Sequence, residues 1–195
     1  MWDQRFSAEH YVYGKDPNGF LEENVDRLPG REVLCLAEGE GRNAVFLARH
    51  GFSVTAVDAS AVGLEKARCL AAEHSVEIDM VHADLEDYAL GIDRWDAIVS
   101  IFCHVLPPLR RKVHAQVPAA LRRGGVFLLE AYTPAQLHNN TGGPRDINRL
   151  MTAEQLQQEL APLEFQCLRE VEREIVEGAH HTGLAAVVQV IARRP

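Results

Sequence analysis

Short apolar runs alternate with helical patterns through residues 32–132, and this alternation restricts the possible folds more than any other feature of the sequence. The runs have the composition of strands in a buried parallel sheet, and they lie at 33–37, 53–57, 78–82, 95–101 and 126–131. Amphipathic helical spacing fills most of the gaps between them. This order predicts an α/β fold, in which a parallel sheet carries helices on both faces.

The C-terminal part of the chain has a different pattern. We expect Gly124-Gly125 to end the helix that begins at Pro107-Pro108. Thr152-Ala153-Glu154-Gln155 is a capping-box sequence and predicts the start of a short helix. Runs at 165–176 and 184–191 follow each other with no crossover helix, so these two strands must be antiparallel if they are neighbours.

The first part of the chain, residues 1–30, is rich in aromatic residues and helix breakers. Gly14, Pro17 and Gly19 interrupt any regular pattern, so we expect an irregular N-terminal arm. Such an arm packs over the core or closes as a lid over a ligand, and the two roles are compatible. Because no linker or internal repeat is visible, we expect a single domain that spans residues 1–195.

Composition excludes several kinds of partner. A net charge of −8 argues against a large nucleic acid or an anionic membrane, because phosphate binding needs a basic surface. We see no signal peptide and no apolar stretch long enough to cross a bilayer. The four cysteines form no C-x-x-C pair, which favours a reducing cytoplasm over secretion. The oligomeric state is left open.

A glycine turn follows the first predicted strand and opens a helix, in Glu38-Gly39-Glu40-Gly41-Arg42-Asn43-Ala44. Glycines allow a sharp turn and a close approach to a ligand, and the helix N-terminus adds unpaired N–H donors. The pattern G-x-G-x-x-A also fits a dinucleotide site. Glu38 would repel a pyrophosphate but suits the ammonium of S-adenosylmethionine. We therefore expect Glu38, Gly39, Glu40, Gly41 and Asn43 to bind this cofactor.

Acidic residues follow the next two predicted strands. Asp58 can accept both hydroxyls of a ribose, and it is followed by Ala59 and Ser60, the latter a good helix N-cap. Asp84-Leu85 can hold an adenine, through the carboxylate and the next backbone N–H. Taken alone, Asp84 would favour a loop or a helix cap, but its place with Glu38 and Asp58 at successive strand ends favours the adenine role. We also expect Ile101 and Tyr13 to border the cofactor.

The sequence resembles the class I S-adenosylmethionine-dependent methyltransferases, because Glu38 to Gly41, Asp58 and Asp84 match their first three motifs. More narrowly, it is similar to the small tellurite-resistance-type branch. That likeness lies in Tyr11-Val12-Tyr13-Gly14, Pro17-Asn18-Gly19-Phe20, residues 37–43 and Val57-Asp58.

The resemblance covers essentially the whole chain. It implies a Rossmann-like sheet of seven strands with an antiparallel last strand, and methyl transfer from S-adenosylmethionine to a small molecule or small anion. Oxyanions such as tellurite, or small thiols, would then be acceptors. Asn43 departs from the family, since many members have a third glycine there.

The acceptor should lie above the ends of the fourth and fifth predicted strands. His104 could orient the acceptor or remove its proton, or it could be a structural histidine bonded to backbone. Phe102, Tyr132 and Arg145 are the candidates for the acceptor pocket. We expect no metal, since no ligand spacing occurs and the adjacent His180-His181 would seldom face one ion.

Two other functions remain open at this point. An NAD-dependent oxidoreductase would use the same glycine turn and the same acid at Asp58. A regulator without catalysis would bind the adenosyl cofactor alone. Binding of NAD in place of S-adenosylmethionine would identify an oxidoreductase. Cofactor binding without turnover of any acceptor would identify a regulator.

Overall fold

The computed structural model describes residues 2–139, 141–178 and 182–195. Its seven strands form one sheet, in chain order β1 (Glu32–Leu36), β2 (Ser53–Asp58), β3 (Asp79–His82), β4 (Trp95–Ile101), β5 (Leu121–Tyr132), β6 (Glu164–Val176) and β7 (Thr182–Arg193). The described helices are α1 (Trp2–Phe6), α2 (Gly19–Asn24), α3 (Arg42–Arg49), α4 (Ala61–Glu73), α5 (Pro107–Ala120) and α6 (Ala153–Glu159).

The strand order is β3-β2-β1-β4-β5-β7-β6. β1 to β5 are parallel, and β7 pairs antiparallel with both β5 and β6. This confirms the predicted α/β fold and its antiparallel last strand. The two largest buried apolar clusters lie on the two faces of the sheet, one against α5 and α6 and one against α2 and α3.

Three predicted helix starts are confirmed. The Ser60 hydroxyl accepts from the Gly63 N–H and caps α4, and Pro107 is in the first turn of α5. At α6, the Thr152 side chain accepts from the backbone N–H of Gln155, whose own side chain accepts from the Thr152 N–H.

The prediction that Gly124-Gly125 ends α5 is wrong. The helix ends at Ala120 and Leu121 already belongs to β5. The glycines lie in an irregularity where the pairing of β4 with β5 shifts register. A Cβ at Gly125 would lie 2.8 Å from the Arg122 carbonyl oxygen, so this bulge requires a residue without a side chain.

The N-terminal arm is more regular than predicted, since it contains α1 and α2. α2 begins because the Asn18 side chain accepts from the Leu21 N–H, which is a local cap signal that the neighbouring glycine and proline obscure. Phe6, Val12 and Phe20 are buried, so the arm packs on the core. Among the described residues, no helix is long and apolar enough to span a membrane.

Candidate functional site

The turn between β1 and α3 lies at the carboxyl edge of the sheet. Gly39 and Gly41 have φ values of 64° and 91°, which other residues rarely adopt. A Cβ at Gly41 would lie 2.6 Å from the Cβ of Ala67, so the turn lies directly against α4. A Cβ at Gly39 would lie 3.0 Å from the Phe6 ring of the N-terminal arm. The two glycines therefore let the turn pack closely between α4 and the arm.

Asp58, at the end of β2, is bound to this turn. Its Oδ2 accepts from the backbone N–H of Gly39 (2.9 Å) and its Oδ1 from that of Ser60 (2.7 Å). Burial raises the pKa of Asp58, and these two N–H donors oppose the rise. Since an ionised carboxylate has about four acceptor positions, two remain for ribose hydroxyls.

Glu38 is the other acid of the turn. Its Oε1 accepts from the Ala44 N–H (2.7 Å), so it caps the N-terminus of α3. Burial raises the pKa of Glu38 to about 7, although the Ala44 N–H and Arg42 favour its ionised form. A cationic ligand group beside it would favour ionisation further.

The side chains of Glu40 and Asn43, two further residues of the predicted cofactor turn, bond to the N-terminal arm. The Glu40 carboxylate accepts from the backbone N–H groups of Val12 (2.8 Å) and Tyr13 (3.3 Å). The Asn43 amide oxygen accepts from the Asn18 N–H (2.9 Å). Both side chains therefore hold the N-terminal arm, because each lies buried on the side of the turn that faces the arm.

The predicted adenine residues follow β3, next to Asp58, whose carbonyl accepts from the Ala83 N–H. The Asp84 side chain is exposed and accepts from the Glu86 N–H (2.9 Å), while Leu85 is buried. Ala59 is exposed. The sheet thus places Glu38, Asp58 and Asp84 at the ends of three neighbouring strands, as the sequence predicts.

The ends of the central strands are strained. Ala37 follows β1 and Phe102 follows β4, and both have a φ of 51°. Left-handed backbone at a residue as bulky as phenylalanine is unusual and concentrates at functional sites. Ile101, just before Phe102, is buried in the core.

Phe102, Tyr132 and His104 stack on one another above the ends of β4 and β5. The ring centroids of Phe102 and Tyr132 lie 4.6 Å apart, and those of His104 and Tyr132 lie 5.5 Å apart. Burial raises the pKa of the Tyr132 phenol. Gly143 lies over the Tyr132 ring, so the loop that carries Arg145 covers this stack. Arg145 itself is exposed, and its guanidinium lies near the carbonyls of Leu137 and Asn139.

The contacts of His104 favour its structural role. Its Nδ1 lies 3.0 Å from the Arg149 carbonyl oxygen, and the Tyr132 N–H donates to its Nε2 at 3.4 Å. This arrangement requires a neutral ring that carries its proton on Nδ1. Both nitrogens are thus bound to backbone, and the expectation that His104 removes a proton from an acceptor finds no support in this geometry.

Burial lowers the pKa of His104 from 6.5 to about 4, which predicts a pH dependence of stability. Because the unfolded chain binds the proton more tightly, the neutral ring stabilises the fold above pH 6.5. This stability is lost as the pH falls towards 4. We expect a loss on the order of 2 kcal/mol for this partly exposed ring. Urea denaturation at a series of pH values measures it.

His104→Asn should remove this pH dependence, because the amide keeps a donor but does not titrate. His74→Asn, at an exposed position on the last turn of the α4 region, is the matched control and should leave the profile unchanged. If the free energy of unfolding changed with pH equally in wild type and in His104→Asn, His104 would not be the group that causes the dependence.

A buried ionic cluster lies beneath the arm. The Glu130 carboxylate of β5 is fully buried and accepts from Arg173, Asn18 and Gln189. Glu177, after β6, accepts from Asn18 (2.9 Å) and Arg42 (2.7 Å). The cluster joins the arm, α3 and the β6–β7 hairpin at the carboxyl edge of the sheet.

Sequence reasoning misses most of this cluster. A detectable signal exists at Glu130 and Gln189, since each is a polar residue inside an apolar strand and must find a buried partner. Nothing local identifies Asn18, Arg173 or Glu177 as those partners.

Within the described ranges, no three His, Cys, Asp or Glu side chains are grouped to hold a metal ion. His180 and His181 lie outside the described residues.

Comparison with known proteins agrees with this geometry. Residues 33–125 match the family model described as a methyltransferase domain. An uncharacterized methyltransferase of Synechocystis sp. is 30% identical over 109 residues, which cover 55% of this chain and 50% of that protein. The chain spans half or less of the length of the curated relatives it matches.

Solved structures share the fold. TehB from Haemophilus influenzae has a TM-score of 0.74 and 17% identity, over 100% of this chain and 66% of its own. A SAM-dependent methyltransferase from Methanosarcina mazei has a TM-score of 0.71 and 16% identity, over 92% of this chain and 98% of its own. At 16–17% identity, these neighbours show the fold of this chain.

Proposed function

We propose that this protein transfers a methyl group from S-adenosylmethionine to a small molecule or small anion. The observation that carries the proposal is the turn at Gly39–Gly41, with the half-buried carboxyl group of Glu38 in the turn and the buried carboxyl group of Asp58 at the end of the neighbouring strand β2. The methyltransferase domain match over residues 33–125 supports it.

The residues present fit this cofactor. Gly39 and Gly41 allow the sharp turn at the end of β1, and the Asp58 carboxylate retains acceptor positions for ribose hydroxyls. Glu38 has a pKa of about 7 and would ionise beside the α-ammonium of the methionine moiety. A pyrophosphate would place negative charge beside the same carboxyl, which disfavours a dinucleotide.

When bound, S-adenosylmethionine supplies a methyl group that its sulfonium already activates. The residues of this chain then bind the cofactor, orient it relative to the acceptor and exclude water from the site. Glu38 and the turn hold the methionine end, and Asp58 holds the ribose. Asp84 and Leu85 border the adenine. We propose Phe102 and Tyr132 as the apolar wall of the acceptor site. The His104 ring fixes the position of Tyr132, because its Nε2 accepts from the Tyr132 backbone N–H.

The proposed acceptor is small. The Gly143 loop and the arm both cover the end of β5, and a large acceptor would have to displace them. We propose oxyanions of the tellurite type and small thiols as the first acceptors to assay. The structural likeness to TehB supports this choice only through the fold.

A thermal-shift assay with S-adenosylmethionine, S-adenosylhomocysteine, NAD and NADP tests the cofactor. Ligand at about 100 times its Kd adds roughly 2.7 kcal/mol of stability. For a domain of this size we expect the Tm to rise by about 5–10 °C with the two adenosyl compounds alone. A rise with NAD instead would make the protein an oxidoreductase.

Turnover is tested separately, with methyl-labelled S-adenosylmethionine and a panel of thiols, oxyanions, phenols and amines. Formation of S-adenosylhomocysteine that depends on one acceptor class supports the proposal. Cofactor binding without turnover on any class would favour a regulator that only binds the nucleoside.

A further inference from the structure

The ammonium of Lys66, on α4, is surrounded by the N-terminal arm. Its Nζ lies 3.4, 3.0 and 2.6 Å from the carbonyl oxygens of Phe6, Ala8 and His10. It also lies 4.9 Å from the centroid of the Tyr11 ring, at a distance suited to a cation–π interaction. A lysine on a helix surface normally extends into water, whereas this one bonds three carbonyl groups within residues 6–10 of the arm.

Glu40 completes this arrangement from the other side. One of its oxygens forms an ion pair with Lys66, and the other accepts from the backbone N–H groups of Val12 and Tyr13. The Glu40 side chain is only 3% exposed and that of Lys66 only 16%, so solvent screens the pair weakly. Because Glu40 stands between Gly39 and Gly41, the arm is fixed to the proposed cofactor turn itself.

The arm covers that turn and the start of α4. A Cβ at Gly39 would lie 3.0 Å from the Phe6 ring, and a Cβ at Gly63 would lie 2.9 Å from it. Asp3, in α1, accepts from the Ser60 hydroxyl at 2.5 Å. Gly39 and Ser60 are also the two residues whose N–H groups bond Asp58. The arm therefore lies directly over the position proposed for the cofactor.

We propose that Lys66 and Glu40 form a latch that holds the arm over the bound cofactor, so that Lys66 sets the rate of cofactor release. Lys66 is a positioning residue, since it acts through the arm. This role rests on the proposed function, because it concerns the same adenosyl cofactor. The arm must lift for the cofactor to leave, and each bond at the Lys66 ammonium opposes that movement.

Stopped-flow displacement of bound S-adenosylhomocysteine measures the release rate. We expect Lys66→Met to raise the dissociation rate at least tenfold, because methionine keeps most of the side-chain volume but loses the charge and all its donors. Lys66→Arg should recover part of the effect. Lys112→Met is the matched control, since this lysine also donates to a carbonyl, that of Glu86, but lies on α5.

Trypsin digestion without ligand gives a second readout, which reports whether Lys66 holds the arm, while the dissociation rate reports whether the arm retains the cofactor. Cleavage within the arm at Arg5 and Lys15 should be faster in Lys66→Met than in wild type. If Lys66→Met does not fold, Tyr11→Leu replaces it, since it removes the ring under the ammonium and the hydroxyl bonded to the Lys66 carbonyl.

The outcomes separate the two proposals. A wild-type protein that binds neither adenosyl compound refutes the proposed function. A wild-type protein that binds them, together with a folded Lys66→Met variant of unchanged dissociation rate, refutes the latch alone.

Discussion

Replacing Glu130 by alanine is expected to remove about 3–5 kcal/mol of the free energy of unfolding, as breaking a buried ion pair does. The Glu130 carboxylate is fully buried and accepts from the Arg173 guanidinium, the Asn18 amide and the Gln189 amide. Its removal leaves Arg173 beside Glu177 alone and leaves two buried amides with fewer partners. Urea denaturation followed by circular dichroism measures the loss.

The size of this effect decides whether the variant folds at all. A domain is typically stable by only about 5–15 kcal/mol, so the loss would consume a large share of the total. Glu130→Gln keeps the shape and one acceptor, and we expect a smaller loss. Glu172→Ala, at an exposed position on β6, is the matched control and should stay within about 0.5 kcal/mol of wild type.

A double-mutant cycle separates the ion pair from the loss of packing. Glu130→Gln combined with Arg173→Gln should be less destabilising than the two single changes added together, because the second change removes the uncompensated charge. Additive effects would show that Glu130 and Arg173 are not coupled. A Glu130→Ala variant as stable as the Glu172→Ala control would show that the cluster contributes little to stability.

The fold was predictable because its signals are local. Buried parallel strands are continuous apolar runs, helices have their own spacing, and caps such as Ser60 and Thr152 involve residues three positions apart. The bulge at 122–125 was not predictable in this way. Two glycines after an amphipathic helix equally suit a helix end and a bulge, and only the pairing of β5 with β4 decides between them.

The candidate site was predictable only in part, for a related reason. Glu38, Asp58 and Asp84 could be placed because the carboxyl ends of neighbouring parallel strands must share one edge. No comparable rule predicts, from the sequence, which way a side chain of the turn points. Glu40 lies between two residues of the cofactor turn, yet its carboxylate points to backbone N–H groups of the arm, which are distant in sequence.

Sequence also left His104 with two roles, since a histidine that leaves a strand end suits both a catalytic base and a structural residue. The choice depends on the Arg149 carbonyl and the Tyr132 N–H, which reach its two nitrogens from a distant loop and a neighbouring strand. Local pattern carries no information about either contact.

Asp58→Ala is expected to weaken binding of S-adenosylmethionine by about 2–4 kcal/mol, or roughly 30- to 1000-fold in Kd. The change removes the proposed acceptor of both ribose hydroxyls. It also removes the acceptor of the Gly39 and Ser60 N–H groups, so the turn itself loses its anchor to β2. Isothermal titration calorimetry measures the loss.

The two contributions of Asp58 can be separated. Asp58→Asn keeps the volume and one acceptor oxygen, so the turn should keep one of its two bonds and the fold most of its stability. Binding should still fall, because the carboxylate that accepts from the ribose is gone. Asp87→Ala, an exposed acid after β3, is the matched control and should bind normally. Unchanged affinity in a folded Asp58→Ala variant would remove Asp58 from the cofactor site and leave it the role of anchoring the turn.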